Sequence, residues 1–266
     1  MTPAVSAPSV DASLRLKLLP AVLSVIAGSA DVISFLGLAG LFVAHITGNL
    51  VILAAHVVTG AQVGIAPVLS VPVFIVVLAL ARLLAAGLEA AGLASLRPLL
   101  LLQFLLLAGF LALSLSAGSR IDPDAPNEVL AAMLGVSAMA VQNTLVQISL
   151  RGAPSTAVMT TNITRFTMDV GQVLLDRDPA AAAAARRRAA RTWPAIVGFG
   201  AGAALGAALF RAVGPASIAL PTGLALLALA GVHQGTAARA QASRELGCRG
   251  RRGGHRFRPW RAQPKK

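Results

Sequence analysis

From Pro20 to Ala81 the chain runs for 62 residues in which Asp31 is the only charged residue apart from two histidines. A soluble domain is about 25% charged, whereas this whole chain is 12% charged and 56% hydrophobic. A fold surrounded by water cannot keep so long a stretch away from solvent without polar loops. The sequence therefore predicts an all-α protein, built as a polytopic helix bundle within a membrane.

Six apolar segments are long enough to span the hydrocarbon core, which takes roughly 20 residues for about 30 Å. The predicted spans are Leu18–Phe42, Pro67–Leu88, Leu99–Ala117, Val129–Leu150, Pro194–Val213 and Ala216–His233. Two further stretches, Ala44–Ala66 and Ala153–Leu175, are ambiguous. The first begins with a polar break and meets Pro67 with almost no loop, which predicts a bent or half helix that does not cross. Such backbone is tolerated in a membrane where protein buries it or where it lines an aqueous cavity.

Basic residues orient spans, because they are enriched in cytoplasmic loops. With six spans and a cytoplasmic N-terminus, 21 of the 23 basic residues lie inside, and only Arg120 and Arg211 lie outside. A seventh span at Ala44–Ala66 would export the Arg-rich loop and the tail. We therefore expect both termini in the cytoplasm. Residue usage rich in Ala, Gly and Arg suggests a bacterium of high GC content, and hence its cytoplasmic (inner) membrane.

The two ends of the chain differ from the membrane domain, which we expect at residues 18–235. Residues 1–17 lack any apolar period and predict a disordered tail. Residues 236–266 predict a disordered, polybasic cytoplasmic tail, since Arg239–Lys266 holds ten basic residues and one acid. Anionic lipid headgroups are the expected partners of this tail. Nucleic acid is not an expected partner, and a homo-oligomer is left open.

The two ambiguous stretches resemble each other, which indicates an internal repeat. Ala44-His-Ile-Thr-Gly-Asn-Leu-Val51 aligns with Ala157-Val-Met-Thr-Thr-Asn-Ile-Thr164 at an offset of 113 residues. The same offset aligns the first span with the fourth, giving halves of about 18–117 and 129–233. Each half has three spans, an odd number, so the second half is inverted. Inverted repeats with broken helices are typical of secondary transporters, although so short a match could also arise by chance.

The first half supplies four candidate functional residues. Asp31 lies within the first span, where a charge costs at least about 2.5–3.5 kcal/mol on insertion scales. It is interpreted as a proton or cation site, or else as a buried structural carboxylate. His45, Thr47 and Asn49 follow that span. They fit a half-helix N-terminus directed at a substrate, and Thr47 or Asn49 equally fits a plain helix cap.

The second half supplies a matching group. Gln142 and Asn143 lie inside the fourth span, where amides either bind a substrate or hydrogen-bond another helix. Thr160 and Asn162 form the second polar break. We expect both breaks to face a central site, on opposite sides of the bilayer midplane.

Two further patterns have clear physical meanings. Arg165 and Asp169 are spaced i,i+4, so they share a helix face and predict an ion pair. The pair is a candidate for substrate binding or coupling if this stretch enters the membrane, and a solvated pair of little consequence if it lies at the interface or in the cytoplasm. Gly198, Gly202 and Gly206 form a stripe of small residues, which predicts close helix packing. No metal-ligand cluster, nucleotide loop or nucleophile motif is present. We expect no metal, no cofactor and no enzymatic activity.

The signature segments resemble those of the YoaK-like family of bacterial membrane proteins, which is named as a domain of unknown function. Gly28–Leu36 with Phe42–Leu50 is similar to its first signature, and Ser137–Leu145 with Thr156–Thr164 to its second. The resemblance covers about residues 18–235, with Thr161 where a glycine is expected. It implies an inner-membrane protein of about six spans and no particular activity.

Two functions are compatible with these features. The leading hypothesis is a small-solute transporter, coupled to protons or cations through Asp31. The alternative is a non-transporting membrane scaffold or assembly factor, whose polar residues only hold helices together. The two differ in whether the polar residues converge on one cavity that water can enter.

Overall fold

A computed structural model describes residues 14–60, 64–116 and 125–232 of the chain. Within these ranges every regular element is a helix. The helices are α1 (Leu14–Gly37), α2 (Ile46–Thr59), α3 (Ile65–Ala90), α4 (Leu96–Ser116), α5 (Pro126–Ser149), α6 (Met159–Leu175), α7 (Pro179–Val213) and α8 (219–232). Residues 1–13, the outer loop with Arg120, and the polybasic tail at 236–266 lie outside the described residues.

The helical membrane bundle predicted from the sequence is confirmed. Five stretches of the described residues are long and apolar enough to cross a bilayer, and the last of them is the 54-residue run Pro179–Val232. That run contains two helices, α7 and α8, joined by a 3₁₀ turn at Gly214–Ile218. Four of the six predicted spans correspond to α1, α3, α4 and α5, and the last two, Pro194–Val213 and Ala216–His233, correspond to parts of this 54-residue run, the second of them to the 3₁₀ turn together with the described part of α8.

One predicted span boundary is wrong, and one predicted span lies within a longer helix. The first span ends at Gly37 rather than Phe42, because the chain turns at Ala39 (φ +50°) and Gly40 (φ +87°). The fifth predicted span, Pro194–Val213, is the later part of a longer helix that begins at Pro179. The Asp178 side chain caps α7 by accepting from the Ala180 amide at 2.9 Å, and the alanine run that follows favours a helix strongly enough to continue through Pro194.

Both ambiguous stretches form helices too short to cross the membrane. Helix α2 has 14 residues and α6 has 17, which correspond to about 21 Å and 25 Å at 1.5 Å per residue. A hydrocarbon core of about 30 Å exceeds both lengths. Each half helix follows a loop that returns toward the span before it, so the predicted interruption of the span pattern is present in both halves.

The order of elements repeats between the two halves. Helix α6 begins at Met159, which lies 113 positions after Ile46, the first residue of α2. Helix α7 ends at Val213, 123 positions after Ala90 at the end of α3, and α8 begins 123 positions after Leu96 at the start of α4. The offset grows by ten residues because the α6–α7 hairpin is longer than the α2–α3 hairpin.

The first span of each half packs against the third helix of the other half, as a two-fold axis between the halves requires. Helix α1 packs against α7, and its counterpart α5 packs against α3. Helices α1 and α7 are parallel, since Gly198 lies against Ala21 and Gly206 against Ser29. Helix α5 runs in the opposite direction to α1, because Gln142, near the end of α5, bonds to Leu23, near the start of α1. The second half is thus inverted relative to the first.

Glycines allow α1 and α7 to approach closely. A Cβ atom at Gly198, Gly202 or Gly206 would lie within 2.8 Å of an atom of α1. The three glycines thus lie on the face of α7 that the sequence analysis assigned to packing. A fourth glycine, Gly28 on α1, completes the contact, since its Cβ would lie 2.2 Å from the Phe199 carbonyl oxygen.

Candidate functional site

Asp31 anchors the loop that follows α1. One carboxylate oxygen, Oδ1, accepts hydrogen bonds from the backbone amides of Val43 (2.9 Å), Ala44 (2.6 Å) and His45 (3.3 Å). The other oxygen, Oδ2, bonds to Nδ1 of His45. Asp31 itself is only 4% exposed. Three amides and an imidazole replace the water that a carboxylate loses on burial, and they bring the loop back along α1 so that α2 begins inside the bundle.

Asn49 fastens the other end of the same loop. Its Oδ1 accepts from the Phe42 amide at 2.9 Å, and its Nδ2 donates to the Phe42 carbonyl at 2.7 Å. Nδ2 also donates to Ser70 Oγ on α3, at 3.1 Å. The buried side chain of Asn49 therefore pairs with both backbone polar groups of Phe42 and links α2 to α3, so it is used for structure rather than left free for a substrate.

The second loop, before α6, is held by the corresponding asparagine, Asn162, but by fewer hydrogen bonds than the first loop. Asn162 Nδ2 donates to the Ser155 carbonyl at 2.6 Å, and Ser155 corresponds to Phe42 at the offset of 113. Among the described residues, the buried Oδ1 of Asn162 has no partner. Thr144 stands where the first half has Asp31, and the Ser155 hydroxyl accepts from the Val158 amide at 3.0 Å instead. No carboxylate therefore anchors this loop.

A chain of buried amides joins the second loop to three spans. Gln103 on α4 donates to Gln142 Oε1 at 2.7 Å. Gln142 Nε2 then donates to the Leu23 carbonyl on α1 at 2.9 Å and to Thr156 Oγ1 at 3.0 Å. Gln103 was not among the predicted site residues. Its signal was available, because it is the only polar residue between Pro98 and Ala108, in a span where an isolated amide needs a partner.

The two loops contact α1 at different heights. The first binds Asp31, and the second meets Leu23 through Gln142. These positions are eight residues apart, or about 12 Å along a helix. The apolar part of α1 runs from Leu18 to Gly37, so Leu23 and Asp31 lie about equally far from its centre. This arrangement agrees with two breaks on opposite sides of the midplane.

The N-termini of both half helices meet at one open cavity of about 420 Å³. Its polar lining comes from the start of α2, the start of α6, and helices α3 and α5: His45, Thr47, Thr160, Arg82, Asn143, Thr144 and Gln147. No acidic residue belongs to the described lining. Neither α2 nor α6 has a side chain capping its first turn, so the amides there are directed to the cavity end of each helix.

The structure brings together some of the predicted site residues and not others. His45, Thr47, Asn143 and Thr160 line this cavity, and Asp31 reaches it only through His45. Asn49, Gln142 and Asn162 hold the loops behind it. Arg82 was not among the predicted site residues, although it lines the cavity, because the position of α3 against α5 could not be inferred from the sequence.

The predicted ion pair between Arg165 and Asp169 is wrong. Asp169 Oδ1 instead accepts from Arg188 on α7, with Nε and one terminal nitrogen each at 2.7 Å. Arg188 also donates to Gln172 Oε1 at 2.7 Å. Helices α6 and α7 form an antiparallel hairpin, so Arg188 approaches Asp169 with two donors, while Arg165 remains exposed. Both predicted residues line a second cavity of about 470 Å³, apart from the first.

The fold and the loops define a class of protein: a polytopic helical membrane protein with two half helices in an inverted repeat. The chain belongs to the family described as a protein of unknown function (DUF1275), which it matches over residues 19–231. The YoaK-like resemblance is thereby confirmed. No curated protein and no solved structure matches the chain.

Proposed function

We propose that this protein is a small-solute transporter and that its solute binds in the cavity between the half-helix N-termini. The observation that carries the proposal is the meeting of two such termini, one from each inverted half, at a single open cavity. Broken helices that meet at the interface of inverted repeats are a recurrent substrate site in secondary transporters. A volume of about 420 Å³ lies in the usual range of roughly 300–1,000 Å³ for small-molecule sites.

The electrostatics favour an anionic solute. Each helix N-terminus carries roughly half a positive elementary charge, and Arg82 adds a full one. The nearest carboxylate, Asp31, is behind the loop, and its charge is matched by three amides and by His45. A small carboxylate or similar anion therefore fits the site better than an amine or a neutral polyol does.

The pair formed by Asp31 and His45 is our candidate for proton coupling. His45 lines the cavity and bonds to a carboxylate that is itself bonded to the re-entrant loop. A proton gained or lost by the imidazole changes the charge at the cavity wall and the strength of the anchor together. Such a link between charge and loop position is what coupled transport requires, and rocking of the two halves would then alternate access.

One observation favours the alternative, a non-transporting scaffold. The side chains of Asn49 and Gln142 form their hydrogen bonds with loops and neighbouring helices, which leaves them engaged in structural contacts. The scaffold hypothesis treats all polar residues in this way. It predicts that no small solute stabilises the protein.

A solute screen distinguishes the two functions. Purified full-length protein is heated with equal panels of small carboxylates, amines and polyols, because a ligand that binds the folded state raises its stability by about 2.7 kcal/mol at 100 Kd. We expect carboxylates to raise the melting temperature. Replacing His45 with Gln should abolish the shift, and the matched change His56→Gln, outside the cavity, should preserve it. No shift with any panel would favour the scaffold.

We further propose that the protein resides in a bacterial inner membrane with both termini in the cytoplasm. The support is the 21 to 2 distribution of basic residues on the six spans. Helices α1 and α7 are parallel in the structure, as the first and fifth of six consecutive spans must be.

A further inference from the structure

The second cavity, of about 470 Å³, lies between α6, α7 and the loop before α6. Three arginines line it, namely Arg165, Arg188 and Arg191, together with one carboxylate, Asp169. The nominal charge of this lining is therefore +2. This cavity is distinct from the proposed solute site, and no residue lines both.

Only one of the three arginines has its charge matched. Arg188 is held by Asp169 and Gln172. Arg165 and Arg191 make no hydrogen bond or ion pair with the residues that the structure describes. Two guanidinium groups beside one cavity form a suitable site for phosphate, whose oxygens accept paired N–H donors.

The cavity lies at the depth of lipid headgroups. Gly198 on α7 packs against Ala21 on α1, and the two helices are parallel. Arg191 precedes Gly198 by seven residues, so it lies level with about residue 14 of α1. The apolar span begins at Leu18, about 6 Å further along the helix. Headgroups occupy about this distance beyond the hydrocarbon core.

The first half of the repeat shows that the hairpin does not need these charges to form. At the offset of 113, Arg165 corresponds to Ile52 on α2. At the offset of 123, Arg191 corresponds to Val68 on α3. The α2–α3 hairpin thus has aliphatic side chains where the α6–α7 hairpin has its two unmatched arginines. The positive-inside rule explains basic residues on this side of the membrane, but not the convergence of two of them on one cavity.

We propose that this cavity binds a phosphate group, carried either by an anionic lipid headgroup or by a free phosphate. Arg165 and Arg191 contact its oxygens, and the pair of Arg188 with Asp169 holds α6 and α7 in position to frame it. The proposal does not depend on transport, because it concerns a separate cavity.

The test compares two double variants of the full-length protein in a neutral detergent. One variant is Arg165→Gln with Arg191→Gln. The control is Arg186→Gln with Arg187→Gln, which removes the same charge from exposed positions of α7 outside the cavity. Each protein is titrated with dioleoylphosphatidylglycerol, with dioleoylglycerol and with inorganic phosphate, and the melting temperature is followed. The control also cancels any contribution of the polybasic tail.

We expect a saturable rise in melting temperature with phosphatidylglycerol and none with dioleoylglycerol. The cavity variant should need about tenfold more lipid, because two charge-assisted hydrogen bonds are lost, and the control should stay within about twofold of the native protein. Saturation by inorganic phosphate as well would identify a free phosphate as a ligand, and saturation by lipid alone would identify the headgroup. Equal losses in the two variants, or no saturation with any titrant, would overturn the proposal.

Discussion

The contact between α1 and α7 leads to a quantitative prediction for Gly202. An alanine Cβ at this position would lie 2.3 Å from the Val25 carbonyl oxygen and 2.8 Å from its Cα. Relief to even 3.0 Å requires a movement of about 0.7 Å, and the obstacle is backbone on both helices. Overpacking of this kind costs about 1–3 kcal/mol. We therefore expect Gly202→Ala to destabilise the protein.

The matched control is Gly200→Ala on the same helix. A Cβ at Gly200 meets nothing within 4 Å. Both substitutions gain the same helix propensity, about 1 kcal/mol, so the difference between them isolates the clash. Thermal unfolding of the purified variants should separate their melting temperatures by about 2–4 °C per kcal/mol for a chain of this length. Equal melting temperatures would refute the close approach of α1 and α7.

Three more predictions concern the loops, the amide chain and the topology. Asn49→Leu should lower the melting temperature more than Asn162→Leu, because the Asn49 amide accepts from the Phe42 N–H through Oδ1 and donates to the Phe42 carbonyl through Nδ2, whereas Asn162 bonds only to the Ser155 carbonyl in its loop. Gln142→Leu should cost about 1–3 kcal/mol by leaving buried partners unsatisfied. Gln103→Leu should cost less, since it also removes the buried Oε1 that has no partner among the described residues. A reporter fused after Lys266 should signal from the cytoplasm, and a periplasmic signal would contradict the proposed orientation.

The sequence was sufficient to predict the bundle and the first half helix, because each rests on local features, whereas the second stretch was connected to the first only through the repeat. A helix needs about 20 apolar residues to cross, and the stretch Ala44–Ala66 begins with a polar break and meets Pro67 with almost no loop, which leaves too little chain for another span. The early start of α7 was missed for a related reason. Pro194 was taken as a boundary, whereas a long alanine run supplied enough helix stability to continue through it.

The roles of the polar residues could be predicted only in part. Asp31 was singled out as a costly charge within a span, and its partners are the backbone amides of Val43, Ala44 and His45 together with the His45 imidazole. Those amides reach the Asp31 carboxylate only because the chain reverses direction at Ala39–Gly40. The pattern of side chains did not predict that reversal. Nearly every residue has a backbone N–H, so residue types do not reveal which amides will bind a buried carboxylate.

The single offset of 113 was correct for the first two elements of each half and fails for the rest. Ten additional residues in the α6–α7 hairpin move the later helices to an offset of 123. This is also why the pair of Arg188 with Asp169 was missed. Its partners lie on two helices of a hairpin whose length could not be inferred from the other half.

The central claim is that the N-termini of two oppositely directed half helices meet at one cavity. Cysteines at Thr47 and Thr160, in a Cys248→Ser background, test it by intramolecular cross-linking in membranes. A cavity of about 420 Å³, within the usual size of small-molecule sites, has the volume of a sphere about 9 Å across, so a bismaleimide of about that length should link the two cysteines efficiently. The control pair, Thr59 and Leu175 at the far ends of the same helices, should not link. Linkage of the control pair, or none between Thr47 and Thr160, would contradict the account.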